Sequence, residues 1–341
     1  MKVIVVGGVA GGASAAARIR RLDARAEIKM FERGKYVSFS NCSLPYYLSS
    51  VVEDSGDLIM MDPEEFKTKH DIDVFTESEV ISIDRNAKKV SVKNLKTGEI
   101  YEESYDKLVL SPGASPVLPK TISGIDGGNV FTVRNVTDIV GLKNRVTADG
   151  VDEVVVVGGG FIGLEVAENL IEAGKKVTLI EGMDQVMAPM DYDMAQMLHK
   201  ELDDHGVKLY LSSAVTAVED GRVTAVKDGK TFSVPAGAVI MAIGVAPETR
   251  LAQEAGLEIG STRGIKVNRN YQTSDPDIYA VGDVIESFNK LTKSPGRLAL
   301  AGPAQRQARA AADHIVTGKD NTDFGFIGSS VLKLFGLNAA C

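Results

Sequence analysis

Two stretches of the chain repeat one pattern of apolar and polar positions. Val3-Ile4-Val5-Val6 is an unbroken apolar run, as expected of a strand covered on both faces, and it leads into Gly7-Gly8-Val9-Ala10-Gly11-Gly12. Ala13 to Leu22 then reads as a helix and Glu27 to Phe31 as a second strand, which ends at Glu32. Further along, Val154 to Val157 runs into Gly158-Gly159-Gly160-Phe161-Ile162-Gly163. A helix is predicted from Leu164 to Ala173 and stopped by Gly174, and the strand Val177 to Ile180 ends at Glu181.

Strand, glycine turn, helix, strand and acid is the order of a dinucleotide-binding unit. In it, backbone N–H groups and a helix N-terminus face a pyrophosphate, and the acid holds a ribose hydroxyl. The second turn is a complete G-x-G-x-x-G at Gly158, Gly160 and Gly163, whereas Val9 replaces the middle glycine of the first. Glu181 accepts from a free 2′-hydroxyl and repels a 2′-phosphate, and no Arg follows closely, so NADH is favoured over NADPH.

Between and after these units the chain alternates in the same way. Asp62-Pro63-Glu64-Glu65 is a helix start, with Asp as the cap, Pro first and Glu third, for a helix ending near His70. Strands are expected at Val74–Val80, Lys89–Val92, Glu99–Glu103 and Asp106–Leu110, the last broken by Ser111-Pro112-Gly113-Ala114. The second unit continues through Val207–Leu211, Arg222–Lys227 and Val239–Gly244. A buried strand then ends in Gly282-Asp283, and Leu298 to Pro303 opens a helix that runs through Val316. The apolar stretch from Val331 to Cys341 is expected to begin a further domain rather than to add a strand to an existing sheet.

A chain of 341 residues with 44% hydrophobic content can hold two domains and a fragment of a third. Its net charge of −8 argues against nucleic acid as the main partner. No apolar run approaches the roughly 20 residues that span a bilayer, which leaves a soluble cytoplasmic protein as the expectation. No metal-ligand pattern is evident. The two cysteines, Cys42 and Cys341, are too far apart for a disulfide framework, so Cys42 is a redox or nucleophile candidate. Ser14, Arg18 and Arg21 share one face of the first helix, either as a solvated face or as a seat for a phosphate-bearing substrate.

The segment Ser38-Phe39-Ser40-Asn41-Cys42 with Leu44-Pro45-Tyr46 adds a family likeness, together with the first glycine turn, Ser111-Pro112-Gly113-Ala114 and Tyr279-Ala280-Val281-Gly282-Asp283. The chain resembles the single-cysteine flavoprotein disulfide reductases: coenzyme A-disulfide reductase and NADH-dependent persulfide reductases, with NADH peroxidase and NADH oxidase as cousins. The resemblance implies an α/β fold of two Rossmann-like three-layer dinucleotide-binding domains, the second inserted in the first. Residues 1–112 and 245–322 would bind FAD, 113–244 would bind NAD(P)H, and 323–341 would start a dimerisation domain. Full-length relatives are expected to be homodimers.

The same resemblance assigns residues. FAD would be held by Gly7, Gly8, Ala10, Gly11, Gly12, Glu32, Arg33, Asn41, Val80, Ser111, Pro112, Gly113, Arg134, Gly282, Asp283, Leu300 and Ala301. NADH would sit on Gly158, Gly160, Phe161, Ile162, Gly163, Glu165, Glu181 and Gly244, with Phe161 as a mobile cover over the flavin. Ser14, Arg18, Arg21, Ser38, Asn41 and Lys69 (or its neighbour His70) would hold coenzyme A. Peroxidase and oxidase relatives carry a histidine at position 10, where this chain has Ala10. That absence, and Asn41 before the cysteine, favour the coenzyme A branch.

The expected reaction passes hydride from NADH through FAD to Cys42, the catalytic residue, which reduces coenzyme A disulfide or a related persulfide. With no nearby partner thiol, oxidised Cys42 must be a mixed disulfide or a sulfenic acid. Its thiolate is expected to be favoured by a helix N-terminus and basic neighbours. The alternatives are an NADH oxidase or peroxidase that uses a sulfenic acid, and a redox flavoprotein without turnover of its own.

Overall fold

The computed structural model describes residues 1–341, which fall into two compact units. The first comprises residues 1–39, 59–115 and 247–328; the second comprises 40–58, 116–246 and 329–341. Residues 40–58 and 329–341 thus group with the second unit. Side-chain bonds within the second unit account for this. Ser49 Oγ donates to Asn169 Oδ1 at 2.6 Å, Lys143 Nζ donates to the Tyr47 carbonyl at 2.6 Å, and the Phe335 N–H donates to Glu168 Oε1 at 2.7 Å.

The first unit is built on a parallel sheet in the order Ile278–Ala280, Lys107–Leu110, Lys2–Val6, Glu27–Phe31, Asp73–Phe75. In register, Val3 faces Ile28 and Lys107, and Val5 faces Met30 and Val109. Both faces are covered, so the central strand is apolar from Val3 to Val6, and Val3, Ile4 and Val5 are fully buried. The helices Ala10–Leu22 and Ala301–Thr317 pack together as one layer, and their alanines Ala15, Ala16, Ala308, Ala311 and Ala312 are buried. An antiparallel sheet of Ser78–Asp84, Lys89–Asn94 and Ile100–Ser104 adds Val80, Val90 and Val92 to the same core.

The helix Pro63–His70 starts as its sequence predicts. Asp62 Oδ1 accepts from the Glu65 N–H at 2.8 Å and Glu65 Oε2 accepts from the Asp62 N–H at 3.1 Å, a closed capping box.

The second unit repeats the plan. Its parallel sheet runs Lys208–Tyr210, Lys176–Ile180, Glu153–Val157, Ala238–Met241, Val130–Phe131. The helices Val136–Val146, Phe161–Glu172 and Tyr192–Asp204 accompany it. The antiparallel strands Ala214–Glu219, Gly221–Lys227 and Lys230–Ala236 form the other layer, and Val218, Val223 and Val234 join the sheet's core. The strands Val331–Leu334 and Leu337–Ala340 make a separate antiparallel hairpin. No helix is long and apolar enough to cross a membrane.

Candidate functional site

Each parallel sheet ends in a glycine turn closed by its own acid. In the second unit the Gly159 N–H donates to Glu181 Oε2 at 2.6 Å and the Met183 N–H donates to Oε1 at 2.8 Å. In the first, the Gly8 N–H donates to Glu32 Oε2 at 2.9 Å and the Gly34 N–H to Oε1 at 2.7 Å. Val37 and Val186 take equivalent places as well, at 2.6 Å and 2.7 Å from where a Cβ on Gly8 or Gly159 would lie. Sequence reasoning gave Glu32 and Glu181 to ribose hydroxyls and missed this clasp, because nothing in spacing reveals where a backbone N–H points.

The glycines divide by what a side chain would meet. At Gly158, with φ +108°, a Cβ would lie 2.5 Å from the Ala242 carbonyl oxygen, and at Gly163 it would lie 1.9 Å from that of Gly158. These two are fixed by the fold itself. Gly160 is different: it is exposed, and a Cβ there meets nothing within 4 Å. Open space at the middle glycine, at the start of the helix Phe161–Glu172, fits the close approach of a pyrophosphate. The first turn is fixed by the fold in the way Gly158 and Gly163 are, with Gly7 at φ +94° against Ser111 and Gly12 against Gly7, while Val9 stands before the helix Ala10–Leu22.

Around the first turn lie Ala10, Gly11, Ser111, Pro112 and Gly113. A Cβ on Gly11 would sit 2.4 Å from Ser111 Oγ. Gly282 and the half-buried Asp283 follow the strand Ile278–Ala280, and the Gly282 N–H donates to the buried Gln307 Oε1 at 2.8 Å. Leu300 and Ala301 stand at the start of the helix Ala301–Thr317, where Ala301 is exposed. Arg33 lies 3.7 Å from Glu248, whose carboxylate also accepts from Ser115 Oγ. Val80 packs in the core of this unit.

The basic residues are largely paired. Arg18 Nε donates to Asp313 Oδ1 at 2.7 Å, Arg21 Nε donates to the Ala17 carbonyl at 3.2 Å, and Lys69 pairs with Glu65 at 2.5 Å. Ser14 shares that helix, and Ser38, with φ +46°, donates its N–H to the Gly8 carbonyl at 2.8 Å.

Cys42 belongs to the second unit, in the 3-10 turn Asn41–Ser43 that leads into the helix Leu44–Leu48. Asn41 Nδ2 donates to the Arg134 carbonyl at 3.3 Å, so those two residues meet there also. Both cysteines are free and exposed. The sequence expects basic neighbours to favour the Cys42 thiolate; the charged side chain that acts on the thiol here is an acid, Glu165. Although the residue is exposed, partial desolvation raises the thiol pKa above its ordinary value, and the Glu165 carboxylate raises it further. Glu165 is itself pushed up to about 7 by burial and by Glu168. Phe161, Ile162 and Glu165 all lie on the helix Phe161–Glu172, and Gly244, with φ +110°, follows the strand Ala238–Met241.

Two sheet units, each with a glycine turn and a terminal acid, define a protein that binds two dinucleotides. The chain belongs to the pyridine nucleotide-disulphide oxidoreductase family, whose model matches residues 1–308. That family is FAD-dependent. The coenzyme A disulfide reductase of Staphylococcus aureus (strain COL) is 39% identical over 335 residues, which cover 98% of this chain and 75% of the relative. The structure of reduced Bacillus anthracis CoADR-RHD matches with a TM-score of 0.95 and 44% identity, over 99% of this chain and 61% of that one. A NAD-dependent persulfide reductase from A. fulgidus matches with a TM-score of 0.94 and 36% identity, over 100% of this chain and 63% of that one. This chain therefore spans about three fifths of each solved relative.

Proposed function

We propose that the protein uses NAD(P)H to reduce coenzyme A disulfide, or a related low-molecular-weight disulfide or persulfide, through FAD and the single sulfur of Cys42. The observation that carries this reading is Cys42 itself. It is an exposed free thiol on a turn, in a family of disulfide oxidoreductases, and the only other cysteine lies at residue 341. The relatives named for coenzyme A disulfide and persulfide reduction support the substrate class. Bound FAD supplies the step from two-electron hydride chemistry to sulfur.

The chain's own residues do the rest. Gly7, Gly8, Gly11 and Gly12 with Glu32 would seat the FAD pyrophosphate and ribose; Ser111, Gly113, Gly282 and Asp283 flank them. Gly158, Gly160, Gly163 and Glu181 would seat the nicotinamide nucleotide, with NADH favoured because Glu181 repels a 2′-phosphate. Cys42 Sγ attacks one sulfur of the substrate disulfide, forms a mixed disulfide and releases the first thiol. Reduction of that mixed disulfide releases the second thiol and restores Cys42. Ser14, Arg18, Arg21, Ser38, Asn41 and Lys69 are the proposed coenzyme A contacts. Arg18 would then exchange Asp313 for a phosphate, which Arg recognises by paired hydrogen bonds.

The experiment is NADH consumption by wild type and Cys42→Ser with coenzyme A disulfide, coenzyme A persulfide, peroxide or oxygen as sole acceptor. The expected result is turnover with a coenzyme A acceptor in wild type, and its loss in a Cys42→Ser protein that keeps its yellow colour. Undiminished disulfide reduction by Cys42→Ser would overturn the reading. Turnover with oxygen or peroxide alone would replace it with the sulfenic-acid chemistry of an oxidase or peroxidase.

A further inference from the structure

Cys42 stands beside a helix too short to hold its own place. Leu44–Leu48 has five residues, and a helix of that length makes too few internal hydrogen bonds to form alone. What it packs on decides where it lies. Leu44, Pro45 and Leu48 are buried, and the helix rests against two longer helices of the second unit, Val136–Val146 and Phe161–Glu172. The 3-10 turn Asn41–Ser43 runs straight into it, with the Leu44 N–H donating to the Asn41 carbonyl. The turn that carries Cys42 therefore goes where this helix goes.

Each longer helix sends one polar side chain to the C-terminal end of the short one, the end opposite Cys42. Lys143 Nζ donates to the Tyr47 carbonyl at 2.6 Å and to Ser50 Oγ at 2.7 Å, and lies 4.6 Å from the centre of the Tyr47 ring, within cation–π reach. Asn169 Oδ1 accepts from Ser49 Oγ at 2.6 Å, and Asn169 Nδ2 donates to the Glu165 carbonyl, one turn back in its own helix, at 2.8 Å. The second bond fixes which way the amide faces, so its oxygen stays turned to Ser49. Asn169 is fully buried, as are Leu164, Val166, Ala167 and Leu170 of the same helix. Replacing both partners of a buried hydrogen bond by apolar groups is nearly neutral for a fold, so stability alone does not account for the pair.

We propose that Lys143 and Asn169 are positioning residues for Cys42: they clamp its helix at two points, so that the sulfur keeps one place and one direction for attack on the substrate disulfide. This role deepens the reading of Cys42 as the attacking sulfur and rests on it. A single polar contact would leave the short helix free to pivot about that contact. Two contacts, from two different helices, stop the pivot. Reacting atoms need to be about 3–3.5 Å apart with their orbitals aligned, and a misplacement of about 1 Å costs about a hundredfold in rate. The clamp acts on the step that involves sulfur and leaves the arrival of hydride from NADH untouched.

The test compares wild-type holoenzyme with Lys143→Met, Ser49→Ala and the double variant. Met keeps the length of the Lys143 side chain and removes its donor, while Ser49→Ala removes the partner of Asn169 without entering the buried helix face. Two quantities are measured: peptide-resolved amide hydrogen exchange, and NADH-dependent reduction of coenzyme A disulfide. In the double variant, exchange should quicken by about tenfold or more over residues 41–52 and stay unchanged in the strands Glu153–Val157 and Lys176–Ile180. Its kcat/KM for the disulfide should fall about 10- to 100-fold, with kcat/KM for NADH unchanged. A fold that is merely weakened lowers both values together, in proportion to the enzyme that remains folded. Lys143→Met alone should show the same split at smaller size, and it carries the test if the double variant does not fold. Lys143→Arg, which keeps a cation and its donors, should lose less than Lys143→Met.

Unchanged exchange over residues 41–52 overturns the clamp, as does an equal fall in the two kcat/KM values. Quickened exchange with undiminished kcat/KM for the disulfide overturns it too, because the segment is then held for the fold alone. The two failures separate cleanly. If Cys42→Ser still reduces the disulfide, the attacking-sulfur reading falls and the positioning role falls with it. If Cys42→Ser is dead and the split is missing, only the role of Lys143 and Asn169 falls.

Discussion

Gly159 and Glu181 are joined by a hydrogen bond of 2.6 Å, from the backbone of the glycine turn to the acid that ends the next strand. Gly8 and Glu32 repeat the bond at 2.9 Å. A ribose reaching either acid meets a carboxylate already oriented by two backbone donors, and the acid in turn holds the turn in shape. Hydrogen bonds to a charged group contribute about 1.5–3 kcal/mol each. Glu181→Ala should therefore weaken NADH binding by about 10- to 100-fold and also destabilise the fold. Glu181→Gln, which keeps one oxygen to accept from Gly159, should lose less on both counts. Calorimetric titration with NADH and thermal melting of both variants check this; weakened binding with unchanged melting in both would show that the acid serves the ribose alone.

Neighbouring glycines in one turn should respond in opposite ways. A Cβ at position 163 would fall 1.9 Å from the Gly158 oxygen, so Gly163→Ala should cost roughly 1–3 kcal/mol or more through displaced backbone. Gly160→Ala meets nothing within 4 Å in the protein. Its melting temperature should stay close to wild type while NADH binding drops by about tenfold or more, because the added methyl occupies the approach of the pyrophosphate. Loss of stability in Gly160→Ala, or unimpaired NADH binding by it, would contradict this division.

Acid stability should depend on Glu103, which binds Lys2 and Lys29, each at 2.7 Å. Burial pushes its carboxyl up, but the two ammonium groups outweigh burial and hold it below the usual range. A pKa depressed in the folded state gives stability that is present above the unfolded value, about 4.3, and lost as pH falls through the folded one. Glu103→Gln should thus cost about 1–3 kcal/mol at neutral pH, with the gap from wild type closing in acid. Denaturant midpoints measured across that range test it, and a gap that does not change with pH would remove the ion pairs as its cause.

The features legible in the sequence are those written in contiguous residues. Val3–Val6 and Val154–Val157, the glycines after them and the capping box at Asp62 each encode their own local geometry, and the two parallel sheets follow from covering such strands on both faces. What stayed hidden depends on residues far apart in the chain. Arg18 on a basic helix face looks free, yet Asp313 arrives from 295 positions away to pair with it. Cys42 looks like a thiol awaiting basic neighbours, yet Ser49 binds Asn169 across 120 positions and brings an acid instead. Spacing shows which side chains share a helix face, but it cannot say which element packs against that face.

Because residues 40–58 and 329–341 both group with the second unit, so do both cysteines of the chain. Maleimide dyes and spin labels would consequently mark one body and leave the other dark. Any change seen by such a tag on adding FAD or NADH would report from the cysteine-bearing half, and fluorescence of a doubly tagged chain would measure motion inside it.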